Sequence, residues 1–378
     1  MRGLNKTLVA GAACALLAAC GGGSKSSTTS NSTTPPAPIT SILETLPRDG
    51  SLTTGTGRQF SNSAINGTVH VPASGCLLLI CTTPAHDEFP FDFQIASMAK
   101  ANPGAAAGSA GADDLKLVVT GGTNSTGGTK TLSALFTDWA TANSLLTGVK
   151  TSTDNGAVLS GFDATDYTPI AGGHIQAVVI DASATVPNLT YMGFAYWTAT
   201  DVDPTDPTKN QFIVSGGSAF ARSGYGTSPD LATIAGLPAS ATYLGKTVGT
   251  QVFPASNSVA LIAGDFSLTA NFGTGAVSAQ ITNLKRMDGS TPAGTPLPNI
   301  TFTGASLSAP TATISGSGGT GMTTQYGTTT PDGPTALLGA FYGPKAEEAG
   351  GTWFVSGSNL VPGSTSNTQL SGAFGAVR

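Results

Sequence analysis

Apolar and polar residues alternate most regularly in the second half of the chain. Phe266, Leu268, Ala270 and Phe272 alternate with polar positions, Gly273-Thr274-Gly275 turns the chain, and Val277, Ala279 and Ile281 alternate on the way back. A period of two with a central turn predicts an antiparallel hairpin with one apolar face. Further strands are expected at 242–249, 299–307, 311–316, 335–342, 351–356 and 369–377, about eight in all with the hairpin. Eight antiparallel strands can close into a barrel whose interior side chains just fill it. Closure removes the edges that a Thr-rich open sheet would expose, and it requires the strand at 369–377 to pair back to the first.

The stretch from about 50 to 240 is less regular. Phe89, Phe91, Phe93 and Ile95 alternate as in a half-buried strand, Leu115–Val119 reads as a strand stopped by Gly121-Gly122, and Ile175–Ile180 reads as a buried strand. Leu132, Leu135, Phe136, Trp139 and Leu146 fall at three- and four-residue spacings. That spacing predicts an amphipathic helix of about twelve residues, with Thr131 as its N-cap. Residues 201–210, with Asp201, Asp203 and Asp206 among prolines, read as an acidic loop.

Composition sharpens this. Of 378 residues only 10% are charged while 50 are Gly, which favours many short strands and turns over helices. The formal charge of -5 argues against nucleic acid as a partner, since phosphate binding needs a basic stripe. Three His in the whole chain leave little room for a His-based metal or nucleophile site. No Gly-x-Ser-x-Gly and no zinc-type pair of Cys pairs occurs. Gly245-Lys246-Thr247 has Ser240 where a phosphate loop needs its first Gly. Glu347 and Glu348 are neighbours in a connection, so they read as solvated or turn-forming rather than as an acid–base pair facing each other across a substrate. No catalytic residue and no metal ligand is expected.

The first twenty residues read as an address. Arg2 and Lys6 precede an apolar run from Leu8 to Ala19, too short to span a bilayer, which ends Leu17-Ala18-Ala19-Cys20 before Gly21-Gly22-Gly23-Ser24. The arrangement resembles the lipobox of bacterial lipoproteins. The resemblance implies removal of 1–19 and acylation of Cys20, and Gly21 in place of Asp fits outer-membrane lipoproteins. Loss of Arg2 and Lys6 would take the formal charge from -5 to -7. Residues 20–45 are then the lipidated Cys and a Gly/Ser/Thr/Pro-rich flexible tether. Multiple acyl chains would hold the protein stably.

Cys76 and Cys81 remain for an oxidising compartment. They bracket Leu77-Leu78-Leu79-Ile80 and are a candidate disulfide, provided that the chain turns between them. The apolar quartet is either a knob that docks into a partner or a buried strand bend, the second being the commoner use of such a run.

The segment Leu338-Gly339-Ala340-Phe341-Tyr342-Gly343-Pro344-Lys345-Ala346-Glu347-Glu348-Ala349-Gly350-Gly351-Thr352-Trp353-Phe354 and the closing Gly372-Ala373-Phe374-Gly375-Ala376-Val377-Arg378 resemble the barrel signature of the transferrin-binding protein B family. Leu237–Gly245, Gly264–Gly273, Tyr196-Trp197 and Phe212–Gly217 are similar to its pre-barrel strands and first hairpin. Gly343-Pro344 would set a turn, and Gly350-Gly351 would supply unusual φ at the return. The resemblance implies one lobe of that family. The fold class is then mainly β, an N-terminal mixed handle domain (46–240) plus a C-terminal eight-stranded antiparallel β-barrel (241–378).

The implied function is a non-enzymatic outer-membrane lipoprotein, facing the cell surface, that captures a ligand. That ligand would be a host or environmental iron or haem protein, or an iron- or haem-type solute. A TonB-dependent outer-membrane receptor is the implied partner, beside the membrane reached through the lipid. No cofactor is implied. The alternatives are a haem-carrying lipoprotein of the haemophilin type and a structural envelope lipoprotein. For haem, His86, beside Asp87 and Glu88, and His174, after Gly172-Gly173, are the candidate iron ligands, although a lone His is more often a surface or turn residue.

Overall fold

The computed structural model describes residues 36–39, 41, 60–61, 66–71, 74–77, 80–83, 86–88, 93–102, 104–106, 109–123, 126–137, 149–151, 157–160, 174–202, 212–222, 225–253, 258–287, 296–361 and 368–378. The expectations for the signal sequence and Cys20, for the helix beyond Thr137 and for positions 203–210 of the loop expected at 201–210 fall outside these residues, while Asp201 and Val202 end a strand.

The first part of the chain contributes β1 (Phe60–Ser61), β2 (Asn66–Val71), β3 (Ser74–Leu77), β4 (Ile80–Thr83), β5 (His86–Glu88), β6 (Phe93–Lys100), β7 (Leu115–Thr123), β8 (Thr129–Phe136), β9 (Val149–Thr151), β10 (Ala157–Ser160), β11 (His174–Asp181), β12 (Met192–Val202) and β13 (Phe212–Ala221). Seven of them form one sheet in the order β5-β2-β13-β12-β11-β9, with β1 also on β13. Four form a second sheet, β10-β8-β7-β6, and β3 and β4 make a separate hairpin. The sequence pattern predicted a helix starting at Thr131; the chain there is strand β8. Its burial alternates, with Lys130, Leu132, Ala134 and Phe136 inside and Leu135 exposed. Leu132 and Phe136 are four apart, a spacing that fits a helical face and a strand face equally. Among the described residues the handle is built of strands plus the short 3-10 turns Ser183–Thr185 and Leu231–Thr233.

The second part contributes β14 (Ser240–Phe253), β15 (Ser258–Asn271), β16 (Ala276–Arg286), β17 (Ile300–Ser308), β18 (Thr313–Ser317), β19 (Thr323–Tyr326), β20 (Thr335–Tyr342), β21 (Glu348–Gly357) and β22 (Thr368–Val377). Eight close into an antiparallel ring, β14-β15-β16-β17-β18-β20-β21-β22, and β22 returns to β14 in register from Leu244↔Val377 to Val252↔Gln369. The short β19 pairs with the first half of β17, beside β18. The expected hairpin is β15–β16, with Leu268 opposite Ala279 and Ala270 opposite Val277.

The barrel interior is a packed core. Tyr243, Phe266, Phe302, Phe341, Trp353 and Phe374 are buried there. The Phe266 and Phe374 rings stack with centroids 3.9 Å apart, and the Trp353 Nε1–H donates to Thr247 Oγ1 at 2.7 Å. Each such large side chain contributes about 1.5–3 kcal/mol by leaving water. The first-part sheet lies on the outside of this wall, with β12 and β13 over β14, β21 and β22.

Candidate functional site

The barrel and the handle sheet share one axis, which defines two poles. At the first pole lie the turns 272–275, 309–312 and 343–347, the start of β14 and the end of β22. The start of β12 and the end of β13 lie there too, because Met192 pairs with Ala221 and its N–H bonds Glu348 at the start of β21. At the second pole lie the ends of β14, β16 and β21, the starts of β15, β17, β20 and β22, and the turn 327–334.

The junction of handle and barrel is built differently at the two poles. Near the first pole it is apolar. Ile180, Val186, Leu189, Met192, Phe194, Ala219 and Ala221 pack on Val248, Ala340, Tyr342 and Ala373 of the barrel wall. Within this apolar contact sits one buried acid, Glu348, 1% exposed. Its carboxylate accepts the backbone N–H of Thr190, of Tyr191 at 2.9 Å and of Met192 at 3.0 Å, and the Thr190 hydroxyl at 2.9 Å. Three successive amides thus converge on one anion, a nest that orients their partial positive charge inward. Burial pushes the Glu348 carboxyl up to about 7, against the lowering pull of the Thr190, Tyr191 and Met192 bonds.

The reading of Glu348 as solvated is therefore corrected: it fastens the start of β12 to β21. Its partners lie more than 150 positions away in sequence, so nothing local to the Glu347-Glu348 pair could reveal it. Glu347 does form the turn, its Oε2 accepting the Lys345 N–H at 2.8 Å. Gly343 has φ of +83°, as a turn glycine should. Gly350 and Gly351 serve close approach rather than unusual φ. A Cβ on Gly350 would lie 2.1 Å from Met192 Cε, and one on Gly351 would lie 2.0 Å from the Leu338 carbonyl oxygen.

Toward the second pole the same junction is lined with hydroxyls. The Tyr196 hydroxyl bonds Thr250 Oγ1 at 2.9 Å and also Ser371 Oγ, and Thr250 Oγ1 donates to Ser215 Oγ at 3.4 Å. Thr352 Oγ1 and Gln369 Oε1 are buried there without a hydrogen-bond partner. Burial raises the Tyr196 hydroxyl above its ordinary range, and its Ser215, Ser371 and Thr250 bonds pull it back only in part.

The candidate residues from the sequence fall at the second pole. His86 opens β5 opposite Val71, and His174 opens β11 opposite Val202. Between them stand β2, β13 and β12, four strand spacings, or about 19 Å. The sheet therefore does not bring the two histidines together as ligands of one iron. The β3–β4 hairpin runs between β2 and β5 and sets Cys76 opposite Cys81. Facing residues in an antiparallel pair have Cα atoms about 4.5–5.5 Å apart, which is disulfide spacing. Among the described residues no three or more His, Cys, Asp or Glu gather to hold a metal, and no helix is long and apolar enough to cross a membrane.

Comparison with known proteins adds the family. The family described as C-lobe and N-lobe beta barrels of Tf-binding protein B matches residues 237–378, the closed ring from the approach to β14 through Arg378. These residues are similar to the barrels of transferrin-binding protein B. The barrel that resembles this family is joined here to a strand-built handle, and the long ordered motif from Leu338 to Phe354 lies within the match. Solved structures of transferrin-binding protein B also resemble the chain. That of isotype 1 from serogroup B Neisseria meningitidis is 15% identical, covering 69% of this chain and 52% of that one, with a TM-score of 0.29. A double mutant from Haemophilus parasuis Hp5 is 13% identical, covering 70% and 51%, with a TM-score of 0.31. The chain spans about half the length of these structures. No curated protein sequence matches it.

Proposed function

We propose that this protein is a non-enzymatic lipoprotein, acylated at Cys20 and held on the outer face of the outer membrane, that captures a ligand protein. The observation that carries the reading is the barrel at 237–378, similar to those of transferrin-binding protein B, with a handle sheet docked on its wall. The solved relatives are named for binding transferrin; here the ligand class is a protein that carries iron or haem, passed on to a TonB-dependent receptor. The connections of the second pole are the capture surface, since loops on a rigid scaffold are where recognition residues vary. Cys76 and Cys81 form a disulfide that fixes the β3–β4 hairpin there.

The haem-carrier alternative keeps at most one histidine ligand, because His86 and His174 stand about 19 Å apart. Titration of residues 21–378 with haemin separates the two readings. A flat Soret band is expected. A saturable shift at one equivalent, lost in His86→Ala or His174→Ala, would replace protein capture by haem carriage. Co-purification from intact cells then identifies the ligand protein, and survival of the handle when intact cells are treated with protease would overturn the surface location.

A further inference from the structure

The described chain resumes before β1 at Pro36–Ile39, inside the segment whose composition reads as tether. It does not hang free there. Ile39 is 2% exposed and its N–H donates to the Leu189 carbonyl at 2.6 Å. The Arg222 guanidinium donates from Nη1 to the Ala37 carbonyl at 2.5 Å and to the Thr190 carbonyl at 3.2 Å. Thr190 is in turn held by Glu348, and the Arg222 N–H donates to the Tyr191 carbonyl at 2.7 Å. A continuous set of bonds therefore runs from Ile39 through the start of β12 into barrel strand β21. The tether leaves the body at the first pole, beside the turn 343–347.

Fifteen residues, 21–35, separate Cys20 from that fixed point. Their length caps the gap between lipid and body at about 55 Å, and any shorter path brings the first pole closer. The barrel is about 35 Å tall, taking 14 residues for β14 and a strand tilt near 40°. The chain from Cys20 therefore joins the body at the first pole and not at its opposite. The turns agree with that placement. At the first pole they are three short, tight connections, 272–275, 309–312 and 343–347. Asn271 Oδ1 accepts the N–H of Gly273 and of Thr274 in the first of them, at 3.0 and 2.9 Å.

We propose that the pole carrying the turns 272–275, 309–312 and 343–347 is the membrane-facing surface of the protein, and that Ile39, Arg222 and Glu348 couple the lipid anchor to the barrel. The proposal rests on acylation of Cys20. It places the bilayer surface under the short turns and points the second pole, with the starts of β5 and β11, away from the membrane.

The test uses the full acylated protein in phosphatidylethanolamine–phosphatidylglycerol vesicles that carry a quencher lipid. One fluorophore is attached at Lys345→Cys, in the exposed turn of the first pole, or at Thr328→Cys, in the turn 327–334 of the second, with single labelling checked by mass. Quenching several-fold stronger at position 345 is expected. Equal quenching, or stronger quenching at 328, would overturn the orientation. Ile39→Asp combined with Arg222→Ala should release the exit point, so the two positions become similarly quenched while the barrel keeps its near-ultraviolet circular dichroism. A preserved difference in that variant would overturn the coupling. The mass of the peptide containing Cys20 is read first. A peptide without acyl chains overturns the lipoprotein reading and this proposal together, whereas an acylated protein with inverted quenching overturns the orientation alone.

Discussion

The two halves of the handle–barrel junction solve the same packing problem with opposite chemistry. Near the first pole, apolar side chains enclose the Glu348 carboxylate with three amides and a hydroxyl bonded to it, and one buried hydroxyl, that of Tyr342, goes unpartnered. Near the second, hydroxyls and an amide fill a buried seam in which Thr352 Oγ1 and Gln369 Oε1 go unpartnered. A buried group that is fully bonded fixes geometry, while one left unbonded costs the desolvation it suffered. With three amides and a hydroxyl on one carboxylate, the first half should hold the handle, and the second half, with two unpartnered groups and no such clamp, should be the one that yields.

The largest test of that contrast is Glu348→Ala. It strands three successive backbone amides and one hydroxyl in an apolar contact, so a loss of about 3–5 kcal/mol is expected. Urea unfolding read at Trp197 and Trp353 would check it. A loss below 1 kcal/mol would mean that the apolar contact alone fixes the start of β12.

Next comes pH. The folded-state value of Glu348 is raised to about 7, above the roughly 4.3 of an unfolded chain. Its contribution is therefore fully present below about pH 4.3 and is lost as pH rises through 7, amounting to about 3–4 kcal/mol. Melting temperatures taken from pH 5 to pH 8 should fall in the native protein and stay level over that window in Glu348→Gln. A parallel fall in both would assign the effect to another group.

At the second half the effects shrink. Tyr196→Phe removes the hydroxyl that joins Thr250 and Ser371, and a loss of about 1 kcal/mol is expected in the same unfolding assay. Thr352→Val deletes an unpartnered hydroxyl while keeping the shape, so stability should hold or rise by about 0.5 kcal/mol. A loss of more than 1 kcal/mol in Thr352→Val would show that the seam is bonded through water.

Much of the barrel was legible because its strands have one wet and one dry face. Phe266, Leu268 and Ala270 reported their sheet position by alternation alone. The handle was harder. Leu132 and Phe136 satisfy two periods at once, and only the exposure of Leu135 separates strand from helix. The junction was nearly silent in sequence. Glu348 looked like one half of an acidic turn, and its burial depends on amides brought in by a distant strand. Gly350 and Gly351 were noticed, but the reason lay in Met192 and Leu338, which no local pattern points to. Alternation reads the wall of a barrel well; it does not read what leans against the wall.

The pairing of Leu244 with Val377 has a kinetic consequence. It joins residues more than 130 positions apart, so the ring cannot close until every strand between them is in place. Contacts of such long sequence range make for slow folding. Until β22 arrives, β14 and β21 each carry an open edge on which a second unfinished chain could pair. Substitutions that delay β22, such as replacing Gly372 where it lies against the Trp353 indole, should therefore show themselves first as aggregation during refolding, before the folded barrel loses measurable stability.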